Sequence, residues 1–146
     1  MNRIALSFAL MLAATAAPAQ DRIVHSTSQS FDDVVFGLEN AILDRGLVIS
    51  ATHHVAEMLD RTRADVGSDV VIFDQAEVFS FCSATLSRKV MEADPMNIAF
   101  CPYTIFVATT ADDPGTTHIG YRSFPDGPMA EVQALLEEIS QAAIGD

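Results

Sequence analysis

Strands joined by short turns and separated by lone helices predict an α+β fold, an antiparallel β-sheet with helices packed on one face. Three observations carry this. Phe31, Val34, Val35, Leu38, Ala41 and Ile42 recur at three- and four-residue spacing, the period of a helix with one buried face. Val70-Val71-Ile72-Phe73 is a continuous apolar, mostly β-branched run, the composition of a buried strand. Asp112-Asp113-Pro114-Gly115 separates two apolar stretches with the residues a tight turn demands. The predicted order is roughly β-α-β-(α)-β-β-α-β-β-α.

Taken in order, Ile23 and Val24 suggest a short first strand that ends in the polar Ser26–Ser30 segment. Ser30 is placed to cap the first helix, with Asp32 and Asp33 where the helix dipole favours acids. Gly46 after Arg45 is its stop. Leu47–Ser50 reads as a strand, and Ala56–Asp65 as a short helix or ordered loop. After Val70–Phe73, Asp74-Gln75 interrupts the pattern, and Ala76–Phe81 is a further strand or an extension beyond a bulge. Ser83–Ala93 has Leu86, Val90 and Met91 on one helical face, and Pro95 ends it. Pro102 interrupts the apolar stretch 98–108, so the central strand starts at Tyr103. Thr117–Arg122 returns as the second arm of a hairpin. Val132, Leu135, Leu136 and Ile139 mark a terminal helix over 130–143. The sheet face left open requires a ligand, a partner or polar residues to cover it.

The first residues carry an address. Arg3 precedes an apolar run from Ile4 to Ala14, and Ala17-Pro18-Ala19 has the small-x-small pattern of a cleavage site. The run is shorter than the roughly 20 residues that span a bilayer, so residues 1–19 are expected to be a cleaved signal peptide. Residues 20–146 then form one domain, periplasmic or secreted, with no membrane attachment after cleavage. The leader holds one of the 8 basic residues and none of the 20 acids, so removing it takes the net charge from −12 to −13. Such a surface repels phosphate backbones and anionic membranes, which excludes nucleic acid as a partner.

Two cysteines stand apart. Cys82 ends a predicted strand and Cys101 precedes the strand after the intervening helix; in a β-α-β arrangement both ends of the crossover can lie at one sheet edge, which would make the two sulfurs neighbours. In an exported protein this pair defaults to a structural disulfide. The alternative is a reactive pair, because a thiol just before a helix feels the positive end of its dipole and loses its proton more readily. Ser83, Pro102 and Tyr103 are the residues that would line such a site. Soft-metal binding is a third option, in which Met91, Met96 and His53 or His54 join the sulfurs around Cu(I). Adjacent histidines on a strand point to opposite faces, and Met91 already has a place in a helix core. There is no Gly-rich phosphate loop, no H-E-x-x-H and no C-x-x-C-H, and no cofactor is expected.

Phe81-Cys82-Ser83-Ala84, Leu86-Ser87, Ala93-Asp94-Pro95, Asn97-Ile98 and Cys101-Pro102-Tyr103 together resemble the domain-of-unknown-function 302 family, over about Phe31–Arg122. The resemblance implies a compact α+β domain, often a homodimer, without an established activity. Many members lack cysteines at the positions of Cys82 and Cys101. Exported members that bear them resemble proteins that accompany sulfur-compound oxidation. The expected function is therefore a periplasmic binding or accessory protein whose partner is a periplasmic protein or a small sulfur species. The alternatives are a thiol-disulfide or sulfur-transfer enzyme using Cys82, and a copper carrier.

Overall fold

The computed structural model describes residues 22–145; the expected signal peptide lies outside them. The elements are β1 (Arg22–Thr27), α1 (Phe31–Asp44), β2 (Val48–His54), α2 (Val55–Thr62), β3 (Phe73–Cys82), α3 (Ala84–Ala93), a 3₁₀ helix (Pro95–Phe100), β4 (Tyr103–Thr110), β5 (Thr117–Arg122) and α4 (Ala130–Ile144). The strands form one antiparallel sheet in the order β1-β5-β4-β3-β2. The fold is α+β, as predicted. No helix among the described residues is long and apolar enough to cross a membrane.

Local chemistry sets the helix ends. The Ser30 hydroxyl accepts the Asp33 N–H at 3.2 Å and closes the first turn of α1. Ser83 does the same for α3 through the Leu86 N–H at 3.3 Å. Each cap is worth about 1 kcal/mol against alanine. The Asp94 carboxylate accepts the Met96 N–H at 2.9 Å and starts the 3₁₀ helix. Pro95, expected only to end α3, therefore also opens the next element.

Strand alternation sorts the sheet into two faces. Phe79 and Phe81 of β3, Tyr103, Ile105 and Val107 of β4, and Ile119 and Tyr121 of β5 share a buried face. Against it pack Val34, Leu38 and Ile42 of α1 with Val132, Leu136 and Ile139 of α4. The two helices also touch each other. A Cβ on Gly37 would run into the Ala143 carbonyl, so only glycine permits this approach. The other face carries Val78, Ser80 and Cys82 of β3 with Thr104, Phe106 and Ala108 of β4.

The apolar run at Val70–Phe73 is where the structure departs from the sequence reading. The strand starts at Phe73, opposite Thr110, and continues through a register shift before Gln75 to Cys82. The two predicted strands are thus one. Val70, Val71 and Ile72 precede it at 67, 49 and 52% exposure. The reason is the length of the neighbour. The Ile72 carbonyl accepts from Ala111 N–H at 3.1 Å, and there the chain turns away, leaving residues 70–71 no strand to pair with. At the other boundaries, β2 runs on to His54 and α2 begins at Val55.

Candidate functional site

The β3–β4 ladder places the cysteines. Phe81 pairs with Tyr103, so the chain that leaves β3 at Cys82 must return beside it at Cys101. Between them α3 and the 3₁₀ helix form the excursion. The Cys101–Pro102 bond is cis. The two sulfurs lie 3.0 Å apart, beyond the roughly 2.05 Å of a covalent bridge, and both are free thiols. Cys82 is exposed and Cys101 half-buried. A reagent from solvent therefore meets Cys82 first.

The acidity of Cys82 is opposite to what its position before a helix predicted. Its pKa is pushed up to about 11, first by desolvation and then by the adjacent Cys101 sulfur, against a lowering contribution from the Tyr103 backbone N–H. The first turn of α3 is capped by the Ser83 hydroxyl, not by the thiol. The Cys82 thiolate is thus scarce at neutral pH.

The predicted lining residues divide. Pro102 is exposed beside the sulfurs. Ser83 is buried, with its hydroxyl committed to the α3 cap. The Tyr103 ring is 1% exposed, edge-on to Phe81 at 6.4 Å and to Phe124 at 6.3 Å, with its hydroxyl 3.0 Å from Ser87 Oγ. Burial raises its pKa. Tyr103 therefore anchors the site and presents only its backbone N–H to the sulfur. Arg122 lies 5.3 Å over the Phe100 ring and donates to the Ala99 carbonyl at 3.3 Å, which holds the 3₁₀ helix against β5.

The copper set does not assemble. Cys82 pairs with Val48 at one end of β2, whereas His54 pairs with Glu77 at the other. The five residues from Glu77 to Cys82 span roughly 16 Å at strand rise. His54 Nδ1 lies 2.8 Å from a Glu77 carboxylate oxygen, and His53 pairs with Val78. Met91 packs on the core and Met96 is exposed. Among the described residues no three His, Cys, Asp or Glu side chains gather to hold a metal.

A polar cluster escaped the sequence reading. Tyr121 of β5 donates to the Glu137 carboxylate of α4 at 2.5 Å, His25 Nε2 of β1 lies 3.1 Å from the same oxygen, and Gln141 donates to the other at 2.9 Å. These contacts lower the Glu137 pKa, with the Tyr121 hydrogen bond first among them. Tyr121 is raised by burial and by the carboxylate it serves. The local signal for the cluster is the i, i+4 spacing of Glu137 and Gln141 on α4. His25 lies 112 positions from Glu137, and nothing local links them. Surface recesses of about 110 and 150 Å³ lie beside α2, lined by residues such as Leu59, Arg63 and Val70, or Glu57, Asp74 and Glu77. Neither contains a cysteine.

A crystal structure of an uncharacterised conserved protein DUF302 from Bacillus stearothermophilus is similar, with a TM-score of 0.60, 18% identity, and coverage of 84% of this chain and 94% of that one. This likeness concerns the fold. Among curated proteins, none matches the chain. The family model for the domain of unknown function DUF302 matches residues 23–143, extending the resemblance through β1 and α4. On that match, which covers nearly every described element, the chain belongs to the DUF302 family.

Proposed function

We propose that this chain is an exported accessory protein that holds a sulfur-bearing ligand on Cys82, within a process of sulfur-compound oxidation. The observation that carries the reading is the 3.0 Å approach of the two sulfurs with Cys82 exposed. A disulfide-bearing oxidant of low molecular weight bridges the pair by exchange and leaves as two thiols. A ligand thiolate, RS⁻, then attacks Cys82 Sγ. The Cys82–Cys101 bond breaks, its electron pair stays on Cys101, and that sulfur takes a proton from solvent. The ligand is held as Cys82–S–S–R, and reversal by Cys101 releases it.

This favours a carrier over a catalyst that attacks with Cys82. Its high pKa leaves little thiolate at neutral pH, and thiolate is the attacking form. As the electrophilic half of a bridge, Cys82 requires exposure and a partner sulfur, and it has both. The test is mass spectrometry of the protein after export. It should show Cys82 and Cys101 bridged, and added thiol should produce an adduct on Cys82 with Cys101 free. Two alkylatable thiols without reductant, together with no adduct after oxidation, would refute it.

A further inference from the structure

The surroundings of Cys82 discriminate between ligands. Val48, its neighbour in the β2–β3 ladder, is 72% exposed. Ile98, whose carbonyl accepts the Cys101 N–H at 3.1 Å, is 61% exposed, and Pro102 is exposed too. Val48 neighbours Cys82 in the ladder, and Ile98 and Pro102 flank Cys101 along the chain, so three exposed apolar residues adjoin the cysteine pair, the kind of surface a partner covers with apolar surface of its own. Cys101 lies 3.0 Å from the sulfur, and the groups that shift its acidity are Cys101 and the Tyr103 N–H, with no lysine or arginine of the described residues among them. Arg122 is engaged by Phe100 and the Ala99 carbonyl. Hydrosulfide, polysulfide and sulfite are anionic near neutral pH. They would approach a mature chain of net charge −13 and find the Tyr103 backbone donor, where anion sites supply cations or several donors.

We infer that the ligand captured by Cys82 is a cysteine on a cationic polypeptide segment whose apolar residues rest on Val48, Ile98 and Pro102. The inference rests on the carrier reading above and names its ligand class. The negative field draws such a segment in, and its own lysines or arginines favour the attacking thiolate. Electron bookkeeping is unchanged: the segment's sulfur bonds to Cys82, and Cys101 leaves with the electron pair and is protonated.

The experiment uses the full mature chain, bridged with hydroxyethyl disulfide. Its opening is timed with four probes: a short peptide with cysteine between valine and leucine and lysines at its ends, the same peptide with glutamates, hydrosulfide, and sulfite. Each rate is divided by that probe's rate on hydroxyethyl disulfide, which removes intrinsic nucleophilicity. The lysine peptide should exceed the glutamate peptide by about tenfold at low salt, with the gap closing as salt is added. It should also exceed both inorganic anions. Val48→Ser should slow both peptides severalfold and leave hydrosulfide unchanged. Equal rates for the two peptides, or a faster inorganic anion, overturn the inference while the carrier reading stands. A pair that never bridges overturns both.

Discussion

The Tyr121 hydroxyl donates to the Glu137 carboxylate at 2.5 Å, joining β5 to α4 beside the edge strand β1. His25 of that strand approaches the same oxygen, so one carboxylate ties two strands and a helix together. Tyr121 is 2% exposed, and its hydroxyl would be costly to bury without this acceptor.

Tyr121→Phe should lower unfolding free energy at neutral pH by about 1 kcal/mol, less than a fully buried charged bond, because Glu137 keeps water and two other donors. The pH dependence follows from the two shifts. Glu137 is lowered from 4.5, so its contribution is present above that value and lost as pH falls through its folded pKa. Tyr121 is raised from 10, so its contribution is present below 10 and lost as pH rises through its folded pKa. Urea unfolding across pH should show wild type and variant converging in strong acid. A gap that stays constant from neutral pH into strong acid would contradict this account.

Gly37→Ala should cost about 1–3 kcal/mol, the range for overpacking a filled core. The new methyl group meets the Ala143 backbone carbonyl, which cannot rotate aside as a side chain does, so the helices must separate. Gly46→Ala is the contrast. Its added Cβ meets nothing within 4 Å, but its φ of +70° strains any other residue, and that loss leaves the α1–α4 distance unchanged. Thermal melts of both, with a crystal structure of the first, distinguish collision from backbone strain.

How far the sequence foretold this molecule depended on the range of the forces involved. The α1 stripe, the Ser30 cap and the β4–β5 hairpin are each set within a few residues of sequence, and each was readable. The fate of Val70–Ile72 was not, because their β propensity is satisfied only by a neighbouring strand, and β4 ends too soon. The closeness of Cys82 and Cys101 followed from their bracketing one excursion between adjacent strands. The acidity of Cys82 did not follow, since it depends on desolvation and on the adjacent Cys101 sulfur. The His25–Tyr121–Glu137–Gln141 cluster was invisible for a related reason: its members come from three elements and meet only in the folded state.

Bridging Cys82 to Cys101 closes a loop of about 20 residues and should stabilise the protein by about 3 kcal/mol in the chain-entropy model. Differential scanning calorimetry of the bridged protein, with and without reductant, measures it. Cys82→Ser and Cys101→Ser should each match the reduced wild type and be insensitive to reductant. A reduced wild type that melts with the bridged form would show that the thiols contribute no constraint.

The acidity of Cys82 is separable from its partner. In the reduced wild type, iodoacetamide labelling of Cys82, followed on its own peptide by mass spectrometry, should rise with pH toward a midpoint of about 11. Cys101→Ser removes the neighbouring sulfur's contribution and leaves the desolvation, which is the larger cause. The midpoint should therefore fall but stay above the ordinary 9.0. Tyr103→Phe provides the control. It keeps the backbone N–H that favours the thiolate and removes only the hydroxyl bonded to Ser87, so it should leave the midpoint where it was. A Cys82 midpoint near neutrality in the wild type would instead mark a thiolate ready to attack, and the catalyst reading would replace the carrier.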